Sequence, residues 1–513
     1  MNYRIVQITP VSLTVEIDDQ TPFFSEKKRE VLINGKAVLE TNENVFTVFD
    51  LTPNTEYTLS IDGIEVGFKT ESVSCILYAS SFRKENPFRD DTLRLNLALA
   101  YTPKGGRLIL DEKEYHVTSL RLHSDRTLLI PKGTILYGNP NAKDYPLLPK
   151  ERYDIKDKKR LPCQSWEGDF FVSKPSLLNR LYAKNVTLVG QGTINGRADQ
   201  SEEFWHDVKK LPYGRPSLFY TYQSENIRTI GLTFKNSPAW TIHPFLSKKL
   251  SFLNLYIENP KDAPNTDGRD PEACCDIEIL GIRFSVGDDC IALKSNKRNL
   301  ARERKTPLSN CLIRNCYRKN GHGAIVLGSE AAYGIKDIQV ERCLFEDTDR
   351  GLRIKTRRGR GKESIRDNIV FKDIVRHHVL TPLVRNRFYF CDPDGKDFSV
   401  QDKNPHPVTD RTPYLGSFTF EDIHADDCEV AFGFFYGLPE QKIKSITIKD
   451  SSFSRKKEAK EGFPARLSDI EKRKKQGFVF YNVESVTLRN VKTVGREGKR
   501  ACLNQVSSFK DDE

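Results

Sequence analysis

The feature that most constrains this 513-residue chain is a unit that recurs from about Leu108 onward. Each copy contains two short strand-like runs joined by a tight turn at Asn, Gly or Asp, as in NVTLVGQGTI and CDIEILGIRF. Corresponding strands begin near positions 186, 227, 250, 277, 312, 338, 369, 418, 446 and 486. An irregular period that is never short is typical of a solenoid whose coils carry variable loops. The pattern predicts an all-β chain dominated by a right-handed parallel β-helix.

A second β-sandwich or barrel is the competing fold for this region. Asn-Gly hairpin turns become rare after the first seventy residues, and neighbouring units resemble one another instead of alternating. Sandwiches and barrels built from hairpins would show regular turn signals of that kind. The solenoid is therefore the favoured interpretation.

Residues 1–74 have a different pattern of short strands and hairpin signals. Asn34-Gly35 and Asp62-Gly63 each lie between β-rich runs, which is a strong signal for a two-residue hairpin. The segment LTPNTEYTL, residues 51–59, resembles the tyrosine corner of fibronectin type III domains, in which a tyrosine hydroxyl returns to the backbone. We predict a fibronectin type III-like β-sandwich at 1–74 and a β-helix domain at 75–513.

An amphipathic helix is predicted at the start of the second domain, in DDTLRLNLALAY at residues 90–101. Asp91 or Thr92 would be its N-cap, and Leu93, Leu97 and Ala100 would form its apolar face. A helix in this position could cover the open end of the solenoid.

Bulk composition narrows the partners and the compartment. Lysine and arginine number 81 against 70 acidic residues, so the net charge of +11 suits a polyanion: nucleic acid, an anionic membrane surface or an acidic polysaccharide. The eleven cysteines form no CxxC pair, which favours reduced thiols. No secretory signal or eighteen-residue apolar run is present, so we expect a soluble, cytoplasmic protein without a membrane partner.

Four short motifs lie in consecutive units. They are PNTDGRDP with Asp267, VGDDCIALKS with Asp288 and Asp289, NGHGAIVLGS with His322, and RGLRIKT with Arg353 and Lys355. They follow one another at intervals of 21 to 33 residues. If one coil takes about that many residues, stacking at about 4.8 Å per rung brings these side chains onto one wall.

The adjacent Asp288 and Asp289 require a special backbone. In a regular strand their side chains would point to opposite faces, and one carboxylate would be buried inside the coil at a cost of several kcal/mol. A bulge or turn after Gly287 would let both face outward. With Asp267 from the preceding coil, like charges and desolvation should raise at least one carboxyl pKa enough to retain a proton.

The distance between acid and base carboxylates predicts stereochemistry. A gap of about 6.5–9.5 Å leaves room for a water and implies inversion, whereas about 5 Å implies a covalent intermediate. Asp267 and Asp288 on neighbouring rungs predict the wider gap.

The order and spacing of NTD, GDD, GHG and RIK resemble glycoside hydrolase family 28, the polygalacturonases and their relatives. The resemblance runs from about Arg89 to the C-terminal region and is closest to bacterial exo-acting members with an N-terminal fibronectin-like domain. It implies hydrolysis of α-1,4-galacturonosidic linkages in homogalacturonan-derived oligosaccharides or pectin fragments, with inversion. It implies no cofactor and no metal.

The resemblance also implies roles for individual residues. Asp288 would be the general acid, while Asp267 and Asp289 would orient and deprotonate the hydrolytic water, with the dominant base left open. His322 would hydrogen-bond a carboxylate or the substrate and tune protonation. Arg353, Lys355 and Tyr389 would bind substrate.

Exo action follows from two further expectations. A cytoplasmic enzyme would receive imported short oligogalacturonides instead of polymer. Long inserts around Tyr145 to Phe171 and Phe388 to Tyr414 could block one end of the cleft. An open groove would contradict this hypothesis.

Other functions fit the sequence less well. RIKTRRGRGK, residues 353–362, resembles a basic nucleic-acid tract, but it lacks interleaved aromatics and lies beside three aspartates, so nucleic acid is not a predicted partner. A pectate lyase would use calcium-binding carboxylates, and the motif order disfavours it. The remaining alternatives are a rhamnogalacturonan-type hydrolase of the same family and a non-catalytic carbohydrate-binding β-helix.

Overall fold

A computed structural model of the protein describes residues 2–83, 90–154, 159–166, 169–205, 213–297, 305–319, 321–390 and 393–512. Antiparallel strands form the N-terminal part of the chain. They are β1 Asn2–Ile8, β2 Leu13–Asp18, β3 Phe24–Ile33, β4 Lys36–Glu43, β5 Val45–Val48, β6 Glu56–Ile61 and β7 Ile64–Lys69.

These seven strands form two small sheets, β1-β2-β5 and β4-β3-β6-β7. Asn34-Gly35 joins β3 to β4 and Asp62-Gly63 joins β6 to β7, and all four residues have positive φ angles between 49° and 78°. Both predicted hairpins are therefore confirmed, with the left-handed backbone that favours Asn, Asp and Gly. The Tyr57 hydroxyl accepts a hydrogen bond from the Thr52 amide at 2.9 Å, as a tyrosine corner requires.

From Ile76 onward the chain is a parallel array. Its strands are β8 Ile76–Tyr78, β9 Arg107–Ile109, β10 Glu114–Val117, β11 Leu120–Arg121, β12 Arg126–Ile130, β13 Ile135–Gly138, β14 Glu151–Asp154, β15 Lys159–Pro162, β16 Ser165–Trp166, β17 Asp169–Phe170, β18 Leu178–Leu181, β19 Lys184–Gly190, β20 Thr193–Asn195, β21 Phe219–Tyr222, β22 Glu225–Ile230, β23 Thr233–Lys235, β24 Ile242–Phe245, β25 Lys248–Leu253, β26 Tyr256–Glu258, β27 Cys275–Leu280, β28 Arg283–Ser285, β29 Ile291–Ser295, β30 Leu308–Arg314, β31 Tyr317–Lys319, β32 Gly323–Ala331, β33 Ile335–Lys355, β34 Ile365–Asn386, β35 Tyr414–Leu415, β36 Ser417–Cys428, β37 Ala431–Tyr436, β38 Ile443–Arg455, β39 Gln476–Val494 and β40 Ala501–Asp512. The strands β14 to β17 pair antiparallel, as two short ladders in an insert.

The parallel strands stack coil on coil as a β-helix. One column of register partners runs through Val186, Ile227, Leu250, Ile277, Cys311, Ile338, Ile369, Phe418, Ile446 and Val486. Nine of these ten positions are the predicted ones, and all ten side chains are at most 3% exposed. The predicted start at Leu312 is wrong by one residue, because Cys311 faces the core and Leu312 packs against the N-terminal sheets.

In the described part of the chain three short α-helices accompany the strands, at α1 Thr92–Tyr101, α2 Glu202–Trp205 and α3 Phe398–Gln401. The helix α1 confirms the predicted element, and Asp91 is its N-cap residue. Its predicted apolar face is wrong: Leu93 and Leu97 are 53% and 41% exposed, and Leu95, Ala98 and Leu99 are buried. Alternate residues of LRLNLALA are apolar, so apolar side chains lie on both faces of this helix and the sequence alone does not show which face is buried.

One of the sheets of the β-helix carries the motifs. It contains β24, β29, β32 and the C-terminal ends of β33 and β34, and bridges at Arg269 and Glu272 continue it between β24 and β29. In β29, Ile291 and Leu293 lie in the core, so the alternate residues Ala292 and Lys294 face outward. This outer face is the floor of the site.

All ten cysteines that the structure describes are free thiols. Among the described helices, none combines the length and apolarity needed to cross a membrane.

Candidate active site

A cleft of about 710 Å³ lies over this sheet. All seven residues that the sequence predicted for the site line it: Asp267, Asp288, Asp289, His322, Arg353, Lys355 and Tyr389. The coil stacking therefore brings four motifs from separate coils into one cavity.

The turn that holds Asp288 and Asp289 is the one predicted. Both residues lie between β28, which ends at Ser285, and β29, which begins at Ile291. A Cβ atom on Gly287 would lie 2.4 Å from the Ala263 carbonyl oxygen, so the backbone can turn this tightly only with glycine. The prediction of a turn after Gly287 is confirmed.

A glycine of the GHG motif makes room for Asp289. A Cβ atom on Gly323 would lie 2.5 Å from Asp289 Oδ1, closer than any real contact allows. The Asp289 side chain is only 3% exposed and occupies the space that this glycine leaves. The motif thus has a packing role besides placing His322.

The three carboxylates are closer together than predicted. One oxygen from each of Asp267, Asp288 and Asp289 lies within 4.8 Å of the other two. The expected gap of about 6.5–9.5 Å is therefore wrong for the nearest oxygens, and the carboxylate spacing does not by itself indicate inversion. The turn at 286–290 places both aspartates of GDD directly beside Asp267, which the coil repeat alone could not show.

Three clustered carboxylates could bind a divalent cation through oxygen. In this cluster the protein itself supplies counter-charges. Lys355 Nζ donates to Asp289 Oδ2 at 2.5 Å, and Arg353 Nη1 lies 3.9 Å from Asp289 Oδ1. These cations offset part of the negative charge of the cluster.

The protonation of the cluster is uneven. Burial, together with the charges of Asp270 and Asp288, raises the pKa of Asp267 well above its usual value. Burial also acts to raise the pKa of Asp288, but the hydrogen bond from His322 and the charge of Lys355 outweigh it and lower that pKa to about 2. The proton predicted for the cluster is therefore favoured on Asp267.

His322 lies at the mouth of the cleft with 56% of its side chain exposed. Its Nδ1 atom is 3.4 Å from Asp288 Oδ1, and the interaction with this carboxylate raises the pKa of the imidazole. Its position near the predicted acid agrees with the sequence-based expectation.

Arg353 and Lys355 share one face of β33, as their spacing predicted. Both cations lie above the ring of Tyr389, at 5.3 and 5.4 Å from its centroid. Tyr389 is 6% exposed and lines the cleft, so it lies beside the two cations with which the sequence grouped it.

A buried ion network beside the aspartates was missed by the sequence analysis. Lys294 Nζ lies 3.1 Å from Glu330 Oε2 and 3.4 Å from Asp270 Oδ1. Lys294 and Glu330 line the cleft. The outward position of Lys294 could have been found from the alternation of IALKS, whereas its partners come from other coils.

Trp240 is an anchor of the cleft wall. It is 3% exposed, and its ring stacks on that of Trp166 with the centroids 4.5 Å apart. The Nζ atom of Lys294 lies 4.4 Å from the centroid of the Trp240 ring.

The inserts also contribute to the cleft. Tyr389 and Phe390 belong to the predicted insert at 388–414, and the insert at 145–171 reaches the wall through Trp166. Residues 155–158, 167–168 and 391–392 of these two inserts lie outside the described residues. A third insert, between β38 and β39, was not predicted to contribute and supplies Phe463, Ala465, Arg466 and Leu467.

The chain is similar to named proteins across its central region. It is 26% identical to a probable polygalacturonase of Vitis vinifera over 72% of this chain and 70% of that protein. It is 28% identical to an endo-polygalacturonase of Pectobacterium carotovorum over 55% of this chain and 69% of that one. For exopolygalacturonase B of Aspergillus niger the identity is 26%, over 56% of this chain and 62% of the relative.

Solved structures share the fold. An exopolygalacturonase of Yersinia enterocolitica matches with a TM-score of 0.69 at 17% identity, covering 100% of this chain and 99% of the other. An exopolygalacturonase of Thermotoga maritima matches with a TM-score of 0.65 at 22% identity, covering 82% and 92%. The family model described as glycosyl hydrolases family 28 matches residues 124–399, which is more than half of the chain and includes all seven predicted site residues. The protein is therefore a glycoside hydrolase that belongs to glycosyl hydrolases family 28.

Proposed function

We propose that the protein hydrolyses α-1,4-galacturonosidic linkages in homogalacturonan-derived oligosaccharides, acting from a chain end and inverting the anomeric configuration. The observation that carries this proposal is the cluster of Asp267, Asp288 and Asp289 within 4.8 Å, in a cleft that is also lined by cationic side chains: Arg350, Arg353, Lys355 and Arg466. The carboxylates suit acid–base cleavage of a glycosidic bond, and the cations suit a substrate with one carboxylate per sugar.

The relatives support this substrate class. The sequence relatives and the two solved structures described above are named as polygalacturonases, endo-polygalacturonases or exopolygalacturonases. The four motifs that carry the family resemblance also supply the residues that meet in the cleft. This agreement favours galacturonan over the rhamnogalacturonan and binding-module alternatives.

For the proton donor, we assign Asp288 together with His322. In the free protein His322 and Asp288 each shift the pKa of the other toward its charged form: the pKa of His322 is raised and that of Asp288 is lowered. We propose that they work as an imidazolium–carboxylate pair. When substrate enters, the imidazolium proton moves to Asp288, and Asp288 passes it to the glycosidic oxygen as the bond to the anomeric carbon breaks. His322 is then neutral until it takes a proton from solvent.

For the base, we assign Asp289. Asp267 favours its protonated form, whereas Asp289 is ion-paired with Lys355. In the proposed reaction a water attacks the anomeric carbon, its proton goes to Asp289, and Asp267 holds the water by a hydrogen bond. Asp289 afterwards releases this proton to solvent, while His322 takes one up. The product gains the hydroxyl of the water, so atoms and charge balance over the cycle.

Exo action is supported by the inserts that surround the cleft. Two predicted inserts contact its wall and a third contributes four lining residues. Loops of this kind on one face of a solenoid can close one end of a groove to a continuing polymer. We propose that they restrict cleavage to the terminal sugars.

Proton NMR of the purified protein with trigalacturonate tests the proposal. The wild type, Asp288→Asn and a matched control, Asp276→Asn, are compared, because Asp276 is an exposed aspartate outside the cleft. The expected products are mono- or digalacturonate with the inverted anomer appearing first, at full rate in the control and at least about 100-fold slower in Asp288→Asn.

Each other product contradicts a defined part of the proposal. An unsaturated sugar would indicate a lyase. Retention of configuration would remove the inverting mechanism, and internal cleavage of longer oligomers at random positions would remove exo action. No turnover of any galacturonide would return the chain to the rhamnogalacturonan or binding-module alternatives.

A further inference from the structure

The two cations of the RIK motif are already engaged within the protein. Lys355 Nζ is bonded to Asp289 Oδ2 at 2.5 Å, and Arg353 lies 3.9 Å from the other oxygen of the same carboxylate. Both side chains are nearly buried, at 8% and 7% exposure for Lys355 and Arg353. A substrate carboxylate that approaches them must compete with Asp289 for their positive charge.

Two further guanidinium groups line the same cavity. Arg350 precedes the motif on β33, and Arg466 comes from the insert between β38 and β39. Within the part of the chain that the structure describes, neither side chain forms an ion pair with a carboxylate within 4 Å. Burial and the positive charges of Arg353 and Arg466 lower the pKa of Arg350 to about 10, which indicates mutual repulsion among the three arginines.

The insert that carries Arg466 is fastened to the β-helix. Arg350 Nη2 donates to the Phe463 carbonyl at 3.2 Å, and Asn386 Nδ2 donates to the Arg466 carbonyl at 2.7 Å. The Ser468 amide donates to Gln401 Oε1 at 2.9 Å. These bonds fix the backbone on both sides of Arg466 while its side chain stays exposed to the cleft.

Aromatic side chains flank the two arginines. The guanidinium of Arg466 lies 5.8 Å from the ring centroid of Phe390, and Phe463 is 48% exposed at the cleft. An apolar surface beside two cations matches a uronate ring, which has an apolar C–H face and a carboxylate at its edge.

We propose that Arg350 and Arg466 form a second carboxylate-binding subsite, which holds a galacturonate unit separate from the one beside Arg353 and Lys355. The inference rests on the proposed substrate class. Neither residue was assigned by the sequence motifs, and the insert supplies one half of the subsite. An anion bound here would relieve the repulsion among the arginines, so the subsite should contribute to binding much more than to the chemical step.

The test compares Arg350→Met, Arg466→Met and Arg466→Lys with the wild type, and uses Arg489→Met as the control because Arg489 is 57% exposed and outside the cleft. Hydrolysis of trigalacturonate and of its fully methyl-esterified form is measured. We expect each Met variant to raise KM for trigalacturonate by about 10-fold or more, the usual effect of losing a charged hydrogen bond, with kcat within about 3-fold. Arg466→Lys should restore part of the loss.

Esterification separates charge recognition from a structural effect. The KM increase should disappear with the methyl-esterified trimer, and thermal unfolding of each Met variant should match that of Arg489→Met. The proposal is overturned if KM for trigalacturonate stays within about 2-fold of the wild type, or if the same loss occurs with both substrates.

A binding measurement tests the subsite independently of the proposed reaction. Isothermal titration of trigalacturonate is carried out with Asp288→Asn, alone and combined with Arg350→Met or Arg466→Met. If the wild type hydrolyses no galacturonide but both combined variants still weaken binding about 10-fold, the subsite stands and the proposed reaction fails. Unchanged binding in the combined variants, or no binding at all, overturns the subsite.

Discussion

Among single residues, Asp267 and Asp288 are both cleft aspartates, but their surroundings shift their pKa values in opposite directions. Asp267 is buried beside other acids and favours its protonated form, while Asp288 is held ionised by His322 and Lys355. In the proposed mechanism Asp288 is the general acid, and its low pKa means that the proton comes from a neighbour. His322, 3.4 Å away, is the group placed to supply it.

The pH dependence of kcat should therefore report His322. Its pKa is raised above 6.5, so the imidazolium persists to higher pH and the rate should fall as pH rises through that raised value. In His322→Gln the falling limb should disappear and kcat should drop by about 100-fold, the usual size of a proton-transfer contribution.

The control for this experiment is His116→Gln, because His116 is 47% exposed and outside the cleft. Its pH profile should match that of the wild type. A falling limb that persists in His322→Gln at the same pH would show that another group carries the proton.

Among the secondary-structure elements, the positions of turns and of the helix α1 were predicted correctly from the sequence, but the buried face of the helix was not. The turn after Gly287 and both N-terminal hairpins were predicted from local steric rules, because the residues that force these turns are in the turns themselves. The buried face of α1 was not predicted correctly, because apolar residues alternate along this helix and either face could pack against the core. Contacts with the first coils decided which one did.

The face of α1 can be tested with two leucines of one helix. Leu95 is 0% exposed and belongs to the core of the β-helix, whereas Leu93 is 53% exposed. Leu95→Ala should lower the free energy of unfolding by about 2–5 kcal/mol through lost burial and a cavity, and Leu93→Ala by less than about 1 kcal/mol.

Urea unfolding followed by circular dichroism measures both variants under the same conditions. Equal losses in the two variants would contradict the observed orientation of the helix. A larger loss for Leu93→Ala would support the face that the sequence first indicated.

At the scale of the whole molecule, the N-terminal sheets are docked on the β-helix through a buried acid. Glu16 is 2% exposed and accepts hydrogen bonds from Arg314, Asn315 and Arg342, which all belong to the solenoid. An apolar contact that includes Val11, Val45, Ile230 and Leu280 lies beside it. The two parts are joined by polar and apolar contacts together, so we expect them to unfold as one unit.

Removing this acid should destabilise the protein without affecting the reaction. Glu16→Ala leaves Arg314 and Arg342 without one carboxylate in a buried contact, and we expect a loss of about 3 kcal/mol in the free energy of unfolding. Glu71→Ala, which breaks the pair with Arg228 at a residue 41% exposed, should cost less than about 1 kcal/mol.

Urea unfolding at pH 7 measures both glutamate variants, and kcat is measured for each. No residue before Trp240 lines the cleft in the described part of the chain, so kcat should change less than about 2-fold. Equal stability of the two variants would show that Glu16 does not hold the N-terminal sheets in place.

From the sequence alone one can predict the repeat, the inward column of the coils and the wall on which Asp267, Asp288, His322 and Arg353 meet. These features follow from local rules: strands alternate faces, and coils stack at a fixed spacing. Only the folded chain reveals the close approach of the carboxylates, the raised pKa of Asp267, the pairing of Lys355 with Asp289 and the position of Arg466 at the cleft. Each of these depends on distances and burial among residues from separate coils, or on a loop that follows no repeat, and no local pattern encodes them.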